Sequence, residues 1–148
     1  MNGQHAQVAD HLQSNLVDFL ALDLAVKQGH WNIVGPGFLE VHEFLDEVHG
    51  ALQEAIDETA ERIRHLGGFP SGNPARIASN DAVSPLADGQ LDVQDTVRGL
   101  AARTEVVIRQ VRQRLEAIED TEVVTADMVH AHLHKLEHYA WMLRATAG

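Results

Sequence analysis

Apolar residues recur at three- and four-residue spacing along four long stretches of this chain, and no other feature limits its fold so strongly. That spacing is the period of an α-helix with one apolar face. It predicts four helices, at about residues 7–33, 38–66, 92–119 and 125–146. In the first helix the apolar positions are Val8, Leu12, Leu16, Phe19, Leu20 and Leu24.

Residues that favour turns and helix caps separate these stretches. The sequence Gly-Pro-Gly at 35–37 ends the first helix and leaves only a short loop, so the first two helices are expected to form a hairpin. The Gly-Gly pair at 67–68 ends the second helix. Asp92 and Thr125 are predicted to cap the third and fourth helices. Residues 68–91 are rich in Pro, Gly, Ser and Asn, which predicts a long crossover with room for one short helix.

The whole chain, residues 1–148, is expected to form one all-α domain. A length of 148 residues suits a single hydrophobic core. Two helical hairpins joined by one long crossover define a four-helix bundle with ferritin-like connectivity. No strand pattern or internal repeat competes with this prediction. The predicted inward-facing residues are Leu45, Val48, Leu52, Ile56 and Ile63 in the second helix and Leu100, Val107, Val111, Leu115 and Ile118 in the third.

Composition narrows the chemistry that the chain can carry out. It contains no cysteine, which excludes disulfides, thiolate nucleophiles and metals held by sulfur. A net charge of −11 attracts cations and repels nucleic acid phosphates. Ten histidines supply borderline metal ligands. No apolar run approaches the roughly 20 residues of a membrane span, and the N-terminus lacks a basic signal segment, so the expected location is cytoplasmic.

Four polar residues of the second helix share one face. At 100° per residue His42, Asp46, Asp57 and Glu61 fall at about 0°, 40°, 60° and 100° around the axis. Yet the two aspartates lie ~16 Å apart along the helix, too far to bind one metal ion. A two-fold partner removes this difficulty, because an antiparallel copy of the helix brings its Asp57 and Glu61 beside His42 and Asp46. His30 would join from the chain that supplies His42.

These five residues form a donor set of two imidazoles and three carboxylates. Without sulfur, such a set suits two adjacent hard or borderline cations such as iron or manganese. Glu61 would bridge the two metal ions, Asp46 and His42 would serve one, and Asp57 and His30 the other. The alternative is that polar pairs at i, i+4 only form a solvated helix face. No Glu-x-x-His motif is present, which argues against a di-iron site within one chain.

The sequence resembles the Dps family, the mini-ferritins named as DNA-binding proteins from starved cells. The resemblance extends over nearly the whole chain and is most specific in HWNIVGPGFLEVHEFLDEV and DETAER. Lys27, Trp31 and Gly35 also fit the pattern around the site. The ferroxidase ligands that the family places between subunits correspond to His30, His42, Asp46, Asp57 and Glu61.

The resemblance implies a hollow dodecamer of identical bundles that stores iron. Each ferroxidase site would take two Fe(II) ions, with zinc or manganese as substitutes. Hydrogen peroxide would be the preferred oxidant, with oxygen as the other, and ferric product would pass to a mineral core. The implied role is protection against oxidative damage. In the family, acidic pores lie where the third helix ends and the fourth begins, and Glu119, Asp120 and Asp127 are the candidates here. Asp127 could instead be a carboxylate that favours the helix dipole.

DNA binding is not expected from this chain. Residues 1–10 contain no Lys or Arg, and the C-terminal RATAG contains only Arg144, whereas many Dps proteins bind DNA through lysine-rich tails. Without such tails, a strongly negative shell would repel phosphates, and association with the nucleoid is not expected either. A basic patch would have to come from Arg103, Arg109, Arg112 and Arg114, which alternate with acidic residues as on a solvated face.

The fourth helix carries three histidines at i, i+4 and i+8, namely His130, His134 and His138. They could form an accessory metal site or be exposed side chains without a role. Trp31 and Trp141 are expected to be packing residues.

Three functions therefore remain to be compared. The leading one is a peroxide-consuming ferroxidase and iron store. The others are a DNA-condensing Dps protein and a non-catalytic helical shell whose polar groups form ion pairs or hold zinc.

Overall fold

The computed structural model describes residues 1–148 and contains four long helices joined by short connections and one crossover. The long helices are α1 (Gly3–Asn32), α2 (Phe38–His65), α4 (Val93–Glu119) and α5 (Val123–Ala147). The crossover contains the short helix α3 (Pro74–Ala78), and two-residue strands are present as β1 (Ile33–Val34) and β2 (Leu91–Asp92). None of the helices combines the length and apolar character needed to cross a membrane.

The four long helices pack as two hairpins. Helix α1 lies along α2, α4 lies along α5, and α1 also packs against α4, which closes the bundle. The crossover from 66 to 92 runs past α1, with α3 in contact with it. This is the four-helix bundle with one long crossover that the sequence predicts, and the short helix in the crossover is present.

The core is a single cluster of aliphatic side chains with Phe19 at its centre. Every predicted inward-facing residue of α2 and α4 is buried. Leu24 is an exception in α1, because it is 58% exposed and the prediction that it faces inward is wrong. Successive i+4 steps advance the side chain by about 40° around the helix, so Leu24 has rotated away from the face that buries Leu16. Leu22 and Val26 occupy the buried face at that level.

Two of the predicted helix starts differ from the structure. Helix α1 begins at Gly3 because the Asn2 side chain accepts the backbone N–H of His5 at 2.8 Å. Helix α5 begins at Val123 and its cap is Glu122, so the prediction of Thr125 as the cap is wrong. Thr125 lies within the first turn and donates its backbone N–H to the Glu122 carboxylate at 2.8 Å. Asp92 caps α4 as predicted, by accepting the N–H of Asp95.

A short parallel strand pairing was not predicted from the sequence. Ile33 pairs with Leu91 and Val34 with Asp92. Two residues are too few to show an alternating pattern in the sequence, and this pairing leaves the all-α fold class unchanged. The pairing joins the end of α1 to the start of α4.

The α1–α2 turn depends on two glycines with positive φ. Gly35 has φ +131° and Gly37 has φ +79°, values that side chains with a Cβ rarely adopt. Phe38 donates its N–H to the carbonyl of Gly35 at 3.1 Å and opens α2. The turn therefore reverses the chain within a few residues and places the last turn of α1 beside the first turns of α2.

Candidate metal centre

His30 and His42 face each other across the α1–α2 turn. The Nδ1 atom of His30 lies 2.8 Å from the backbone carbonyl oxygen of His42, and the Nδ1 of His42 lies 2.8 Å from the carbonyl oxygen of His30. The two rings stack, with centroids 3.8 Å apart and an interplanar angle of 15°. His30 is buried, and His42 is half-buried. The two imidazoles of one chain thus lie side by side, and their shared role as metal ligands stays a prediction.

The hydrogen bonds of the two histidines determine which nitrogen can bind a metal. A carbonyl oxygen can only accept a hydrogen bond, so each Nδ1 must carry the proton and donate it. In a neutral imidazole the lone pair then lies on Nε2. Metal-binding histidines are commonly oriented in this way, with the other ring nitrogen donating to a carbonyl group. Both side chains are thus fixed in the tautomer that a metal ligand requires.

Asp46 is the carboxylate nearest to this histidine pair. One of its oxygens, Oδ1, accepts a hydrogen bond from Lys27 Nζ at 2.9 Å and lies 3.7 Å from His30 Nε2. The hydrogen bond from Lys27 lowers the pKa of Asp46, and the positive charge near it acts in the same direction. The carboxylate is exposed and ionised at neutral pH, so it is free to exchange its lysine partner for a cation.

Asp57 and Glu61 lie further along the same face of α2 and do not approach the histidines. Both side chains are exposed, and neither makes a hydrogen bond or ion pair within the chain. No group of three or more His, Asp or Glu side chains converges within the chain in a way that could hold a metal ion. The structure thus brings His30, His42 and Asp46 together and leaves the other two predicted ligands without neighbours.

The donors present fit iron as a substrate. Two imidazoles with free Nε2 atoms and carboxylates on an exposed face provide nitrogen and oxygen ligands without sulfur. Phe38 stacks on His42 at 5.2 Å between centroids and covers one side of the pair. A histidine pair with one carboxylate nearby, not yet a complete ligand set, is what a site shared with another chain would leave on each protomer.

The two tryptophans do not pack inside the chain. Trp31 is 65% exposed and Trp141 is 58% exposed, so the expectation that both are packing residues is wrong for the isolated protomer. Lys27 Nζ lies 5.7 Å from the Trp31 ring. Trp141 lies beside His138, with ring centroids 5.7 Å apart.

A polar cluster beside the site was missed from the sequence. The buried Asp23 of α1 accepts a hydrogen bond from His49 Nδ1 at 2.7 Å and one from Gln53 Nε2 at 2.8 Å. His49 and Gln53 lie on the face of α2 that carries Asp46 and Asp57. The sequence offers only a weak signal for this cluster, namely that Asp23 interrupts the apolar pattern of α1. A carboxylate buried at such a position requires a hydrogen-bond partner.

The predicted pore residues lie at one end of the bundle. Glu119 ends α4, and Asp120 follows it as the C-cap. Glu119 pairs with His130 Nε2 at 2.9 Å. Because α5 begins at Val123, Asp127 lies beyond its first turn, where the attraction to the helix dipole is weaker.

The candidate basic patch on α4 is largely neutralised or engaged. Arg114 donates to the buried carboxylate of Asp18 at 2.5 Å, and Arg112 pairs with Glu137. Arg103 donates to the carbonyl oxygens of Ser84 and Pro85 and so fixes the crossover. Three of the four candidate arginines are thus engaged within the chain, whereas Arg109 is exposed and makes no ion pair or hydrogen bond.

The fold and the histidine–carboxylate face define a protein of the ferritin-like class. The family model described as "Ferritin-like domain" matches residues 9–148. The chain is 36% identical over 140 residues to the "DNA protection during starvation protein" of Mycolicibacterium smegmatis, with 95% of this chain and 76% of that protein covered. The chain therefore belongs to the ferritin-like family and, within it, to the Dps proteins.

Solved structures agree with this assignment. A tetragonal form of Mycobacterium smegmatis Dps superposes with a TM-score of 0.91 at 34% identity. The superposition covers 99% of this chain and 91% of the Dps chain. The Dps protein of Vibrio cholerae O1 superposes with a TM-score of 0.91 at 27% identity, over 98% of this chain and 91% of its own. That protein is described as a member of a broad superfamily of ferritin-like diiron-carboxylate proteins. Membership of this family supports an iron-storage, mini-ferritin role.

Proposed function

We propose that this protein oxidises Fe(II) at di-iron sites shared between two subunits, uses hydrogen peroxide in preference to oxygen, and stores the ferric product. Its ligands are His30, His42 and Asp46 from one subunit and Asp57 and Glu61 from the other. A dodecameric shell would enclose the mineral. The observation that carries the proposal is the reciprocal hydrogen bonding of His30 and His42, which leaves both Nε2 atoms without a proton and holds that of His30 3.7 Å from Asp46.

The spacing of the ligands supports a two-fold partner. In an antiparallel pair of identical helices, opposed residues have numbers that sum to a constant. The residue numbers of His42 and Glu61 add up to the same total as those of Asp46 and Asp57. A single antiparallel register therefore brings both pairs together. Each dimer would then own two equivalent sites, related by the symmetry axis.

An exposed apolar surface lies next to these ligands. Leu24, Trp31 and Leu39 are each more than half exposed, and Phe38 is 41% exposed. They lie on α1 and at the start of α2, on either side of the histidine pair. Burying such side chains against a second copy would gain roughly 25 cal/mol per Å² of apolar area. A partner bound there would also bring its own α2 near the three donors.

Pairing two iron ions matters for the use of peroxide. Two Fe(II) ions each give one electron, so that 2 Fe²⁺ + H₂O₂ + 2 H⁺ yields 2 Fe³⁺ + 2 H₂O. Transfer of both electrons at one site avoids the one-electron reaction that releases hydroxyl radical. Glu61 would bridge the ions, while each imidazole and its paired carboxylate would hold one of them.

The acidic character of the chain supports a supply of cations to the sites. A net charge of −11 per subunit raises the local concentration of Fe(II) near the surface. Glu119, Asp120 and Asp127 would line the entry pores, where the end of α4 meets the start of α5. The Glu119 carboxylate is held by His130 in the isolated chain and would be shared with the passing cation.

The relatives are named for DNA protection. In this protein, such protection would arise from removing iron and peroxide rather than from binding DNA. The net charge of −11 repels phosphates, and of the four candidate arginines of α4 only the exposed Arg109 has no ion-pair or hydrogen-bond partner. A gel-shift experiment at low salt tests this part of the proposal. Salt-sensitive retardation of DNA would contradict it.

The decisive experiment is an anaerobic Fe(II) titration followed by a limiting pulse of peroxide. We expect binding to saturate at about two Fe(II) per chain and about two Fe(II) to be consumed per peroxide, without a hydroxyl-radical signal in spin trapping. Zn²⁺ or Mn²⁺ added first should compete for the same donors. Oxidation no faster than in buffer would show that the five residues are structural. A faster reaction with oxygen than with peroxide would reverse the preferred oxidant.

A further inference from the structure

A cleft lies between α2 and α5, and none of the proposed iron ligands lines it. It has a volume of about 370 Å³ and is lined on the α5 side by His134, Lys135, His138 and Tyr139. Glu54 of α2 lies on its opposite side and pairs with Lys135. Two of the three histidines of the α5 stripe therefore open into one concave site rather than onto a flat surface.

The imidazoles of His134 and His138 have no polar partner in the chain. Neither makes a hydrogen bond or ion pair, and the aromatic rings near His138 are those of Tyr139 and Trp141. The neighbouring histidines differ, because His130 pairs with Glu119 and the buried His132 pairs with Glu58. Both nitrogens of His134 and His138 are thus available to a ligand.

Two histidines at i and i+4 on a helix can chelate a metal ion. Their Cβ atoms lie about 5–6 Å apart on one face, which is the spacing used by helical zinc sites of the His-x-x-x-His type. Imidazole favours Zn²⁺, Cu²⁺ and related ions over the harder cations that carboxylates prefer. The Lys135 ammonium nearby does not oppose a cation, because Glu54 neutralises it.

We propose that His134 and His138 bind one borderline divalent metal ion, Zn²⁺ or Cu²⁺, at this cleft. No third protein donor converges there, so water completes the coordination. None of the five proposed iron ligands lines this cleft, although Gly50 and Glu54 of α2, which do, lie close to Asp46 and Asp57 along the same helix. The proposed donors here are imidazole nitrogens alone, whereas the iron set contains three carboxylates.

The positions of the two tryptophans allow a site-specific measurement. Trp141 lies beside His138, whereas Trp31 follows His30 in the chain. Paramagnetic Cu²⁺ quenches indole fluorescence at short range. In the full assembly carrying Trp31→Phe, the remaining Trp141 reports binding at the cleft. Titration with Cu²⁺ should quench it with saturation near one ion per chain, and excess Zn²⁺ should reverse the quenching.

Matched histidine variants locate the ligands. In the Trp31→Phe background, His134→Gln and His138→Gln should each weaken Cu²⁺ binding at least tenfold, whereas His130→Gln, one turn away on the same face, should leave it unchanged. Asp57→Asn should also leave it unchanged, which separates this site from the iron site. An equal loss in His130→Gln, or no loss in His134→Gln and His138→Gln, would overturn the assignment. Electron paramagnetic resonance of the Cu²⁺ form should show two coordinated imidazole nitrogens, and fewer would contradict chelation.

Discussion

His30 and His42 each donate a ring N–H to the other's backbone carbonyl, at 2.8 Å in both directions. Neither imidazole can turn without breaking a hydrogen bond to the opposite helix. The end of α1 and the start of α2 are therefore fixed relative to each other by the two side chains that would bind iron. The arrangement orients both Nε2 atoms before any metal arrives, which lowers the cost of assembling the site.

Removing the carboxylates of α2 tests the iron ligands directly. Asp57→Asn and Glu61→Gln should each reduce the rate of Fe(II) oxidation by about tenfold or more, because a neutral amide replaces an anionic ligand. The fold should be unaffected, since both side chains are exposed and unpaired. Stopped-flow absorbance of ferric product measures the rate. Glu47→Gln, an exposed carboxylate on another side of α2, should behave as wild type, and an equal loss there would indicate a general charge effect.

Helical periodicity accounts for most of what the sequence could predict. The angular positions of His42, Asp46, Asp57 and Glu61 follow from 100° per residue, and the buried leucines of α2 and α4 follow from the same period. The reciprocal bonding of His30 and His42 could not be predicted, because it depends on the path of the chain through Gly35 and Gly37.

Other features escaped prediction because they depend on tertiary contacts. Leu24 is exposed because the apolar pattern of α1 is wider than the face that the bundle buries. Asp23 is buried because His49 and Gln53 of the neighbouring helix satisfy its carboxylate. The completion of the metal centre by a second copy remains a prediction, since its evidence lies in the spacing of the ligands and in the proximity of Asp46 to the His30–His42 pair.

The close packing of α1 beside His30 depends on Gly29. A Cβ at this position would lie 3.0 Å from Thr96 Cγ2 and 3.4 Å from side-chain atoms of Leu45 and Leu100. Gly29→Ala should therefore lower the free energy of unfolding by about 1–3 kcal/mol through overpacking, although alanine is the better helix former. It should also weaken Fe(II) binding by displacing His30.

Gly3→Ala is the control for this substitution. A Cβ at Gly3 meets nothing within 4 Å, so the free energy of unfolding should stay within about 0.5 kcal/mol of wild type. Urea unfolding followed by circular dichroism measures both variants. Equal stability of Gly29→Ala and wild type would show that α4 can yield at this contact.

The buried His132 gives the fold a pH dependence near neutrality. Burial lowers the pKa of His132 below its usual 6.5, against the opposing effect of the hydrogen bond to Glu58. The folded state then binds fewer protons than the unfolded state, so stability falls as pH drops below 6.5. His132→Gln keeps an N–H donor for Glu58 but does not titrate. Between about pH 7 and 5, the melting temperature of wild type should fall more than that of this variant. Parallel curves would contradict the prediction.

Glu122 gives a second pH dependence at lower pH. Burial alone would raise the pKa of its carboxyl, but hydrogen bonds from Thr125 and Arg62 outweigh burial and lower it from 4.5 to about 2. The stabilisation is therefore complete above pH 4.5 and is lost as pH falls towards 2. Glu122→Gln should be less stable than wild type at neutral pH, and the difference in melting temperature should disappear at the acid end. Glu116→Gln, an exposed carboxylate on α4, should show no such convergence.

The two-fold arrangement of the iron site has a consequence that single variants cannot reveal. Each proposed site takes His42 from one subunit and Asp57 from the other. When one subunit of a dimer lacks His42 and its partner lacks Asp57, both losses fall in one site. The second site then retains a complete set of ligands.

Mixing two impaired variants should therefore restore activity. His42→Gln and Asp57→Asn, each expected to keep about one tenth or less of the wild-type rate, are unfolded together in equal amounts and refolded. Random pairing makes half of the dimers mixed, and each mixed dimer has one intact site of two, so about one quarter of the wild-type ferroxidase rate should return. A double variant carrying both substitutions in one chain, refolded with wild type, serves as the control. Its mixed dimers have no intact site, so only the wild-type dimers contribute and about one quarter of the rate is expected, whereas ligands within one chain would leave about one half. If the mixture of single variants stays inactive while its shell assembles normally by native mass measurement, the ligands belong to one chain and the shared site is wrong.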